Sequence, residues 1–176
     1  TVLYVGRFSM EKGIDVVAKI AEKVLSSDKE IKFIAVASET NVPSMGKVME
    51  KFKELSEKYP ERFIWIKKEV SREEIAQLYK KATICIQPSR YDSCPLCVIE
   101  AMACGKTVIG SSRGGIPEII DKAGIVIPFD SNLFSKKILE LIKNYRLRER
   151  YGRRALERSK LFNWDEVALK TLNIYK

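Results

Sequence analysis

Short runs of apolar residues alternate with longer amphipathic segments along the chain. The runs VLYVG, IKFIAVA, RFIWIKK, TICIQP, KTVIG and GIVIP are typical of buried β-strands. Between them apolar residues recur at helical spacing, as in residues 12–27. The apolar positions of that segment include Ile14, Val17, Ile20 and Val24. Strands that alternate with helices predict right-handed βαβ units and a parallel sheet with helices on both faces.

The predicted fold is therefore α/β, a Rossmann-like domain of three layers. Its 176 residues suit one domain with a sizeable core. Further helices are predicted over residues 45–59, 71–82 and 95–105, with a turn and a short helix over 114–120. Three more close the chain, the last over 164–175. Ligands of such sheets bind at the carboxyl ends of the strands, so the loops that follow the strands are the candidate site.

Positive charge adds a question about partners. The formal net charge is +9, and residues 146–160, RLRERYGRRALERSK, carry the densest basic run. Such a run suits nucleic acid, an anionic membrane or a phosphate-bearing ligand. Glu149 and Glu157 interrupt it at helical spacing, which also fits a solvated helix face. No nucleic-acid motif is present, so nucleic acid is not expected as a partner, whereas peripheral membrane contact through this basic tail stays open.

Four cysteines allow three interpretations: a metal site, a redox pair, or packing. They are Cys85, Cys94, Cys97 and Cys104, of which Cys94 and Cys97 form a C-x-x-C. A zinc site needs four ligands, and the chain has no histidine. Free cysteine packs as a small apolar residue, and this interpretation is favoured. Unpaired thiols fit a reducing cytoplasm, the expected location, with the inner membrane face as the alternative.

The segment GRFSMEKG, residues 6–13, carries the first candidate chemistry. Gly6 ends the first strand, Arg7 follows, and Lys12 stands at the start of a helix. Both cations can converge on a phosphate beside the helix N-terminus, or they can be two solvated surface cations. The segment matches neither the Walker A motif nor the dinucleotide motif G-x-G-x-x-G.

A second candidate for chemistry lies in the segment PSRYDSCP, residues 88–95, and in the apolar run PLCVIEAMACG, residues 95–105. Asp92 lies just ahead of a predicted helix, and Glu100 is the single charge inside that helix. The surrounding residues predict that Glu100 is buried. A buried carboxylate costs several kcal/mol unless it finds donors. Hydroxyl groups of a ligand would supply such donors. A salt bridge to a nearby cation would also stabilise the carboxylate.

These segments together resemble the C-terminal, donor-binding domain of retaining nucleotide-sugar glycosyltransferases of the GT-B fold. The family 4 group is the most similar, and glycogen and starch synthases share the layout. The resemblance extends from Val2 to the last helix. It rests on GRFSMEKG, on the acids Asp92 and Glu100 at E-x7-E spacing, and on EAMACG and GGIPEI.

The resemblance implies that residues 1–176 are one donor-binding domain, one half of a GT-B fold. The absent N-terminal acceptor domain of the same chain would be its partner. The implied reaction transfers a hexosyl group from a UDP-, GDP- or ADP-sugar, with retention of configuration and without a metal or other cofactor. A non-catalytic nucleotide-binding regulatory module is one alternative, and the donor domain of a glycogen synthase is the other. The closing helices would pack toward the missing half, so Trp164 and Leu169 are expected to be exposed.

The same resemblance assigns roles to individual residues. Arg7 and Lys12 would hold the donor diphosphate, Asp92 would face the donor sugar, and these three form the catalytic set. Glu100 would accept hydrogen bonds from the ribose hydroxyls. Gly114 and Gly115 would shape a turn before a helix. The full set of expected donor-binding residues is Gly6, Arg7, Lys12, Lys68, Glu69, Val70, Asp92, Cys94, Leu96 and Glu100, with the segment 68–70 beside the base.

The sequence departs from the family pattern at three places. Asp92 replaces the usual Glu and reaches one methylene less far. Pro95 replaces a Gly whose N–H helps to bind phosphate, and proline has no N–H. Phosphate contacts from this loop would be fewer, or would shift to Cys94 and Leu96. The segment ASETN, residues 37–41, replaces the Gly-rich turn usual after the second strand.

Overall fold

A single parallel sheet forms the centre of the molecule. The computed structural model describes residues 1–38 and 43–175, and within them six strands pair in the order β3-β2-β1-β4-β5-β6. The strands are β1 (Val2–Val5), β2 (Phe33–Val36), β3 (Phe63–Ile66), β4 (Ile84–Gln87), β5 (Thr107–Ser111) and β6 (Ile125–Ile127). Every neighbouring pair is parallel, which confirms the predicted α/β class.

Helices cover both faces of this sheet, as predicted. They are α1 (Ile14–Ser27), α2 (Gly46–Lys58), α3 (Arg72–Lys81), α4 (Leu96–Ala103), α5 (Ile116–Ile120), α6 (Ser131–Lys143), α7 (Tyr145–Ser159) and α8 (Trp164–Ile174). One face packs against α1, α2 and α6, and the other against α3, α4, α5 and α7. Across the two described ranges, none of these helices is long and apolar enough to cross a membrane.

The sheet is buried on both faces, which explains why the strand sequences are continuous apolar runs. In β1, Val2 and Tyr4 belong to the core on the α1 side, whereas Leu3 belongs to the core on the α4 side. Successive side chains of a strand point to opposite faces, so a strand covered on both faces needs apolar residues throughout.

The strand order places the two candidate loops side by side. The chain adds β2 and β3 on one side of β1 and then returns to add β4, β5 and β6 on the other side. The strand order reverses between β1 and β4, so the loops that follow these two strands are neighbours at that point. Sheets of this kind bind ligands there. These loops are residues 6–13 and 88–95. Residues 39–41 of ASETN lie outside the described residues.

The last helix lies apart from both cores. None of the residues described in α8 is buried, and Trp164 and Leu169 are 70% and 61% exposed. The expected exposure of these two side chains is confirmed.

Candidate functional site

A cleft of about 630 Å³ opens at the carboxyl ends of β1, β2 and β3. Gly6 and Arg7 line it from the loop after β1, Ser38 lines it after β2, and residues 68–70 line it after β3. Five of the residues expected to bind the donor therefore share one cleft, at the edge of the sheet where the topology places a ligand.

Arg7 stands at the rim of this cleft. Its side chain is 74% exposed and lies 3.5 Å from the carboxylate of Glu11. An exposed ion pair of this kind contributes little, because water competes for both charges. The guanidinium can therefore leave Glu11 for an anionic ligand at small cost.

Lys12 and Asp92 form an ion pair that joins the loops after β1 and β4. The side chain of Lys12 is 17% exposed and that of Asp92 is 7% exposed. Two charges that have lost most of their water depend on each other, so removing either one leaves the other poorly solvated. An ammonium group has three N–H donors, and Asp92 engages one of them, which leaves donors for a ligand.

A second ion pair clamps the loop after β4 to the first turn of α1. Arg90 donates from Nη1 and Nη2 to the two carboxylate oxygens of Asp15, at 2.6 and 2.7 Å. Arg90 Nη1 also donates to the carbonyl of Met10, and its backbone N–H donates to the carbonyl of Glu11. Burial alone would raise the pKa of Asp15, but the hydrogen bonds and charge of Arg90 outweigh it and lower that pKa.

Two glycines let the backbones of the site approach one another. Gly13 has φ 70°, and a Cβ there would lie 1.7 Å from the carbonyl oxygen of Pro88. Gly114 has φ 58°, and its Cβ would lie 2.2 Å from the carbonyl oxygen of Asp92. The N–H of Gly115 donates to that same oxygen at 2.8 Å. The turn before α5 therefore supports the backbone of Asp92, besides redirecting the chain.

Glu100 is exposed, so the expectation that it is buried is wrong. It lies in the second turn of α4, and its Oε2 accepts a hydrogen bond from the hydroxyl of Tyr79 at 2.9 Å. Tyr79 is 2% exposed. Burial, with the neighbouring Cys97 and Glu100, raises the pKa of Tyr79, so the phenol keeps its proton and donates. The other oxygen, Oε1, has no partner within residues 1–38 and 43–175.

Glu100 faces a groove of about 280 Å³ between α3 and α4. Arg72, Ile75 and Tyr79 line this groove with it. Ile75 also lines the larger cleft, so the groove and the cleft adjoin. Glu100 is thus placed beside the cleft rather than inside it.

The start of α4 presents backbone donors despite its proline. Pro95 is the N-cap residue, and Leu96 is the first helical residue. In the part of the chain that the structure describes, neither the N–H of Cys94 nor that of Leu96 has an acceptor. The helix dipole adds to their attraction for an anion. Neither residue lines the 630 Å³ cleft, and nor do Lys12, Asp92 and Glu100.

The cysteines have different surroundings. Cys85 is buried, and Cys97 Sγ donates to the side-chain oxygen of Gln87 at 3.2 Å. Burial raises the pKa of Cys97 to about 12, so it is a thiol at neutral pH. Cys94 is exposed, so the packing interpretation is wrong for it. The described residues contain no group of three or more His, Cys, Asp or Glu side chains placed to hold a metal ion.

Sequence reasoning missed four residues that shape the site. Asp15 and Arg90 are 75 positions apart, and no local pattern links them. The sequence indicates only that Tyr79 is an aromatic residue of a helix that packs in the core. Ser9 lines the cleft and has a buried Oγ without a hydrogen-bond partner in the described residues. Its position inside GRFSMEKG was the one available signal.

Comparison with known proteins connects this site to one family. The model of the family "Glycosyl transferases group 1" matches residues 1–158. An uncharacterized glycosyltransferase of Methanocaldococcus jannaschii is 29% identical over 177 residues, 99% of this chain and 47% of that protein. An alpha-maltose-1-phosphate synthase of Mycolicibacterium smegmatis is 25% identical over 186 residues, again 99% and 47%.

A solved structure shows the same architecture. Sucrose-phosphate synthase from Thermosynechococcus elongatus superposes with a TM-score of 0.83 at 29% identity, and the match covers 99% of this chain and 44% of that one. The chain spans about half the length of the curated relatives that it matches from end to end.

Proposed function

The chain belongs to the glycosyl transferases group 1 family, and from this premise we propose that it is the donor-binding half of a GT-B glycosyltransferase. It would bind a nucleotide diphosphate sugar and transfer its hexosyl group, with retention of configuration, to an acceptor held by an N-terminal half. The juxtaposition of the 630 Å³ cleft and the Lys12–Asp92 pair at one edge of the sheet carries this proposal.

The nucleoside would occupy the cleft and the adjoining groove. The segment 68–70 forms the wall of the cleft after β3 and would lie beside the base. Oε1 of Glu100 would accept hydrogen bonds from the ribose hydroxyls, while Oε2 accepts one from Tyr79. Because Ile75 borders both spaces, a nucleoside that extends from the cleft into the groove would meet Glu100.

The diphosphate would lie between the loops after β1 and β4. Arg7 can swing from Glu11, and Lys12 has ammonium donors left beyond its bond to Asp92. When the bond from the sugar to the diphosphate breaks, negative charge grows on the leaving group. Fixed cations that meet this charge in a site shielded from water lower the barrier.

Asp92 and the start of α4 complete the arrangement. The carboxylate of Asp92 would turn from Lys12 to the hydroxyls of the donor sugar once phosphate has engaged Lys12. The N–H groups of Cys94 and Leu96 would supply the phosphate contacts that Pro95 cannot make.

A non-catalytic nucleotide-binding module is the second candidate. Pro95 at the N-cap of α4 favours it, since one backbone donor is lost where a leaving phosphate would need it. In that case nucleotide binding persists, and no acceptor receives sugar even when both halves are present.

Lys12→Ala tests the phosphate role. Loss of a charge-assisted hydrogen bond should weaken binding of UDP, GDP or ADP by about 1.5–3 kcal/mol. Calorimetric titration with each diphosphate and its parent nucleoside checks this, because only the diphosphate should lose affinity. Lys19→Ala, an exposed lysine on α1, is the matched control. Equal diphosphate affinity in Lys12→Ala and wild type would remove Lys12 from the site.

A further inference from the structure

Helix α7 carries six arginines, and two of them serve the fold. Arg148 Nη1 donates to the carbonyl of Leu141 at 2.5 Å, and Arg158 Nε donates to the carbonyl of Ile119 at 2.6 Å. The other four are exposed and make no hydrogen bond or ion pair within residues 1–38 and 43–175. These four are Arg146, Arg150, Arg153 and Arg154.

These four arginines and one lysine form a continuous surface. Arg153 lines two grooves: one of about 450 Å³ holds Arg146 and Arg150, and one of about 640 Å³ holds Arg154 and Lys122. The shared Arg153 joins them. We call these five residues the basic surface.

The acids nearby do not cancel this charge. Glu157 pairs with Lys160 at 2.8 Å, and Asp121 pairs with Arg158 at 3.4 Å. Glu149 accepts a hydrogen bond from a tyrosine hydroxyl and has no cation partner in the described residues. Among the acids of α7 and of residues 121–123, five cations therefore face one carboxylate whose charge is not already paired.

The basic surface lies at the edge of the sheet opposite the cleft. The hydroxyl of Thr107, the first residue of β5, donates to the backbone carbonyl of Arg148 in α7. Lys122 lies in the turn that immediately precedes β6. Both positions mark the amino ends of strands, whereas the cleft lies at the carboxyl ends. A partner on the basic surface would leave the cleft open.

We propose that the basic surface docks on the anionic headgroups of a lipid membrane. Each arginine near such a surface is attracted by its negative potential. Leu156 and Leu161 stand among the cations and are 43% and 63% exposed. Exposed apolar side chains next to cations gain from burial at the boundary of headgroups and acyl chains, and a nucleic acid backbone offers them no such burial.

Vesicle sedimentation tests this proposal. The chain is mixed with vesicles of phosphatidylcholine alone, or with phosphatidylglycerol as a minority component, at low and at high salt. We expect binding to the anionic vesicles, weakened by salt because ions screen exposed charges. Arg150→Gln with Arg153→Gln should lower partitioning roughly twenty-five-fold, about fivefold for each charge. Lys47→Gln with Lys53→Gln on α2 is the charge-matched control and should change it little.

The outcomes are distinct. Unchanged nucleotide affinity and melting temperature in the double arginine variant, together with lost vesicle binding, support the docking role. Equal partitioning of this variant and wild type overturns it, and so does equal binding to neutral vesicles. Binding to an RNA homopolymer without binding to anionic vesicles also overturns it and assigns the surface to nucleic acid.

Discussion

Glu100 can offer a ligand one free carboxylate oxygen, because Tyr79 engages the other. The phenol is buried and protonated, so it orients the carboxylate by donating to Oε2 and leaves Oε1 to accept from a ribose. An exposed glutamate normally samples several rotamers. One that is tied by a buried donor has already lost part of that freedom and can bind hydroxyl groups at lower entropic cost.

Replacing Tyr79 by Phe should therefore weaken ribonucleotide binding. The variant keeps the ring in the core and removes only the donor, so affinity should fall by about 0.5–1.5 kcal/mol. Titration with a ribonucleoside diphosphate and its 2′,3′-dideoxy analogue checks this. The loss should appear with the ribose and vanish with the analogue.

Glu100→Gln, alone and combined with Tyr79→Phe, controls for general damage to the site. If the two residues act together, the double variant loses less than the sum of the single losses. An equal loss for both nucleotides in Tyr79→Phe would mean that Tyr79 supports the fold rather than the orientation of Glu100.

Glu100 could be singled out from the sequence as a candidate ligand-binding carboxylate, but its surroundings could not be predicted. An acid within PLCVIEAMACG indicates burial, yet α4 presents this position to the groove beside α3. Arg7 and Lys12 could be singled out as candidates because they flank a strand end and a helix start. Tyr79 could not, because an aromatic on a helix usually indicates core packing alone.

At the scale of elements, the loops after β1 and β4 act as one unit. The bond between Arg90 and Asp15, and the contact of Gly13 with Pro88, hold the loops so that Lys12 reaches Asp92. The strands and helices themselves could be predicted, because apolar periodicity directly records which faces are buried. The Arg90–Asp15 ion pair, the clamp, could not be predicted, because its two residues meet only after the strands have taken their order.

Asp15→Asn should lower the free energy of unfolding at neutral pH. It should also make that free energy fall less steeply as the pH becomes acidic. The folded state lowers the pKa of Asp15, so its contribution is present above the ordinary value of 3.8 and is lost as pH falls through the lower folded value. Since Arg90 is partly exposed, we expect a loss of about 1–2 kcal/mol near pH 7. Urea unfolding from neutral pH to below pH 3 measures both effects.

Asp165→Asn, an exposed acid on α8 without an ion pair in the described residues, is the matched control and should leave the profile unchanged. A wild-type decline in acid that is no steeper than that of Asp15→Asn would show that the clamp contributes nothing to acid sensitivity. Weaker diphosphate binding in Asp15→Asn would further indicate that the clamp positions Lys12.

At the scale of the whole molecule, the chain is proposed to be half of an enzyme. It spans about half the length of its relatives, and α8 exposes Trp164, Leu169 and Ile174. Exposed apolar side chains in one helix are typical of a surface that another domain covers. We propose that the N-terminal half of the same chain covers it.

The 176 residues alone should therefore transfer no sugar. Holding acceptor and donor together can supply about 7–11 kcal/mol of catalysis, and that contribution requires the other half. An assay with radiolabelled nucleotide sugars and a mixture of acceptors measures it. Sustained transfer by this chain would show that it contains both halves of the site.

Thermal unfolding with a panel of nucleotide sugars tests the central claim most directly. A ligand that binds only the folded state stabilises it by RT ln(1 + [L]/Kd), so the melting temperature rises with ligand concentration. We predict an increase that grows with concentration for at least one UDP-, GDP- or ADP-sugar, little or none with the free sugar phosphate, and a much smaller increase in Lys12→Ala. If no nucleotide sugar shifts the transition at millimolar concentration, the cleft is not a donor site and the proposed function is wrong.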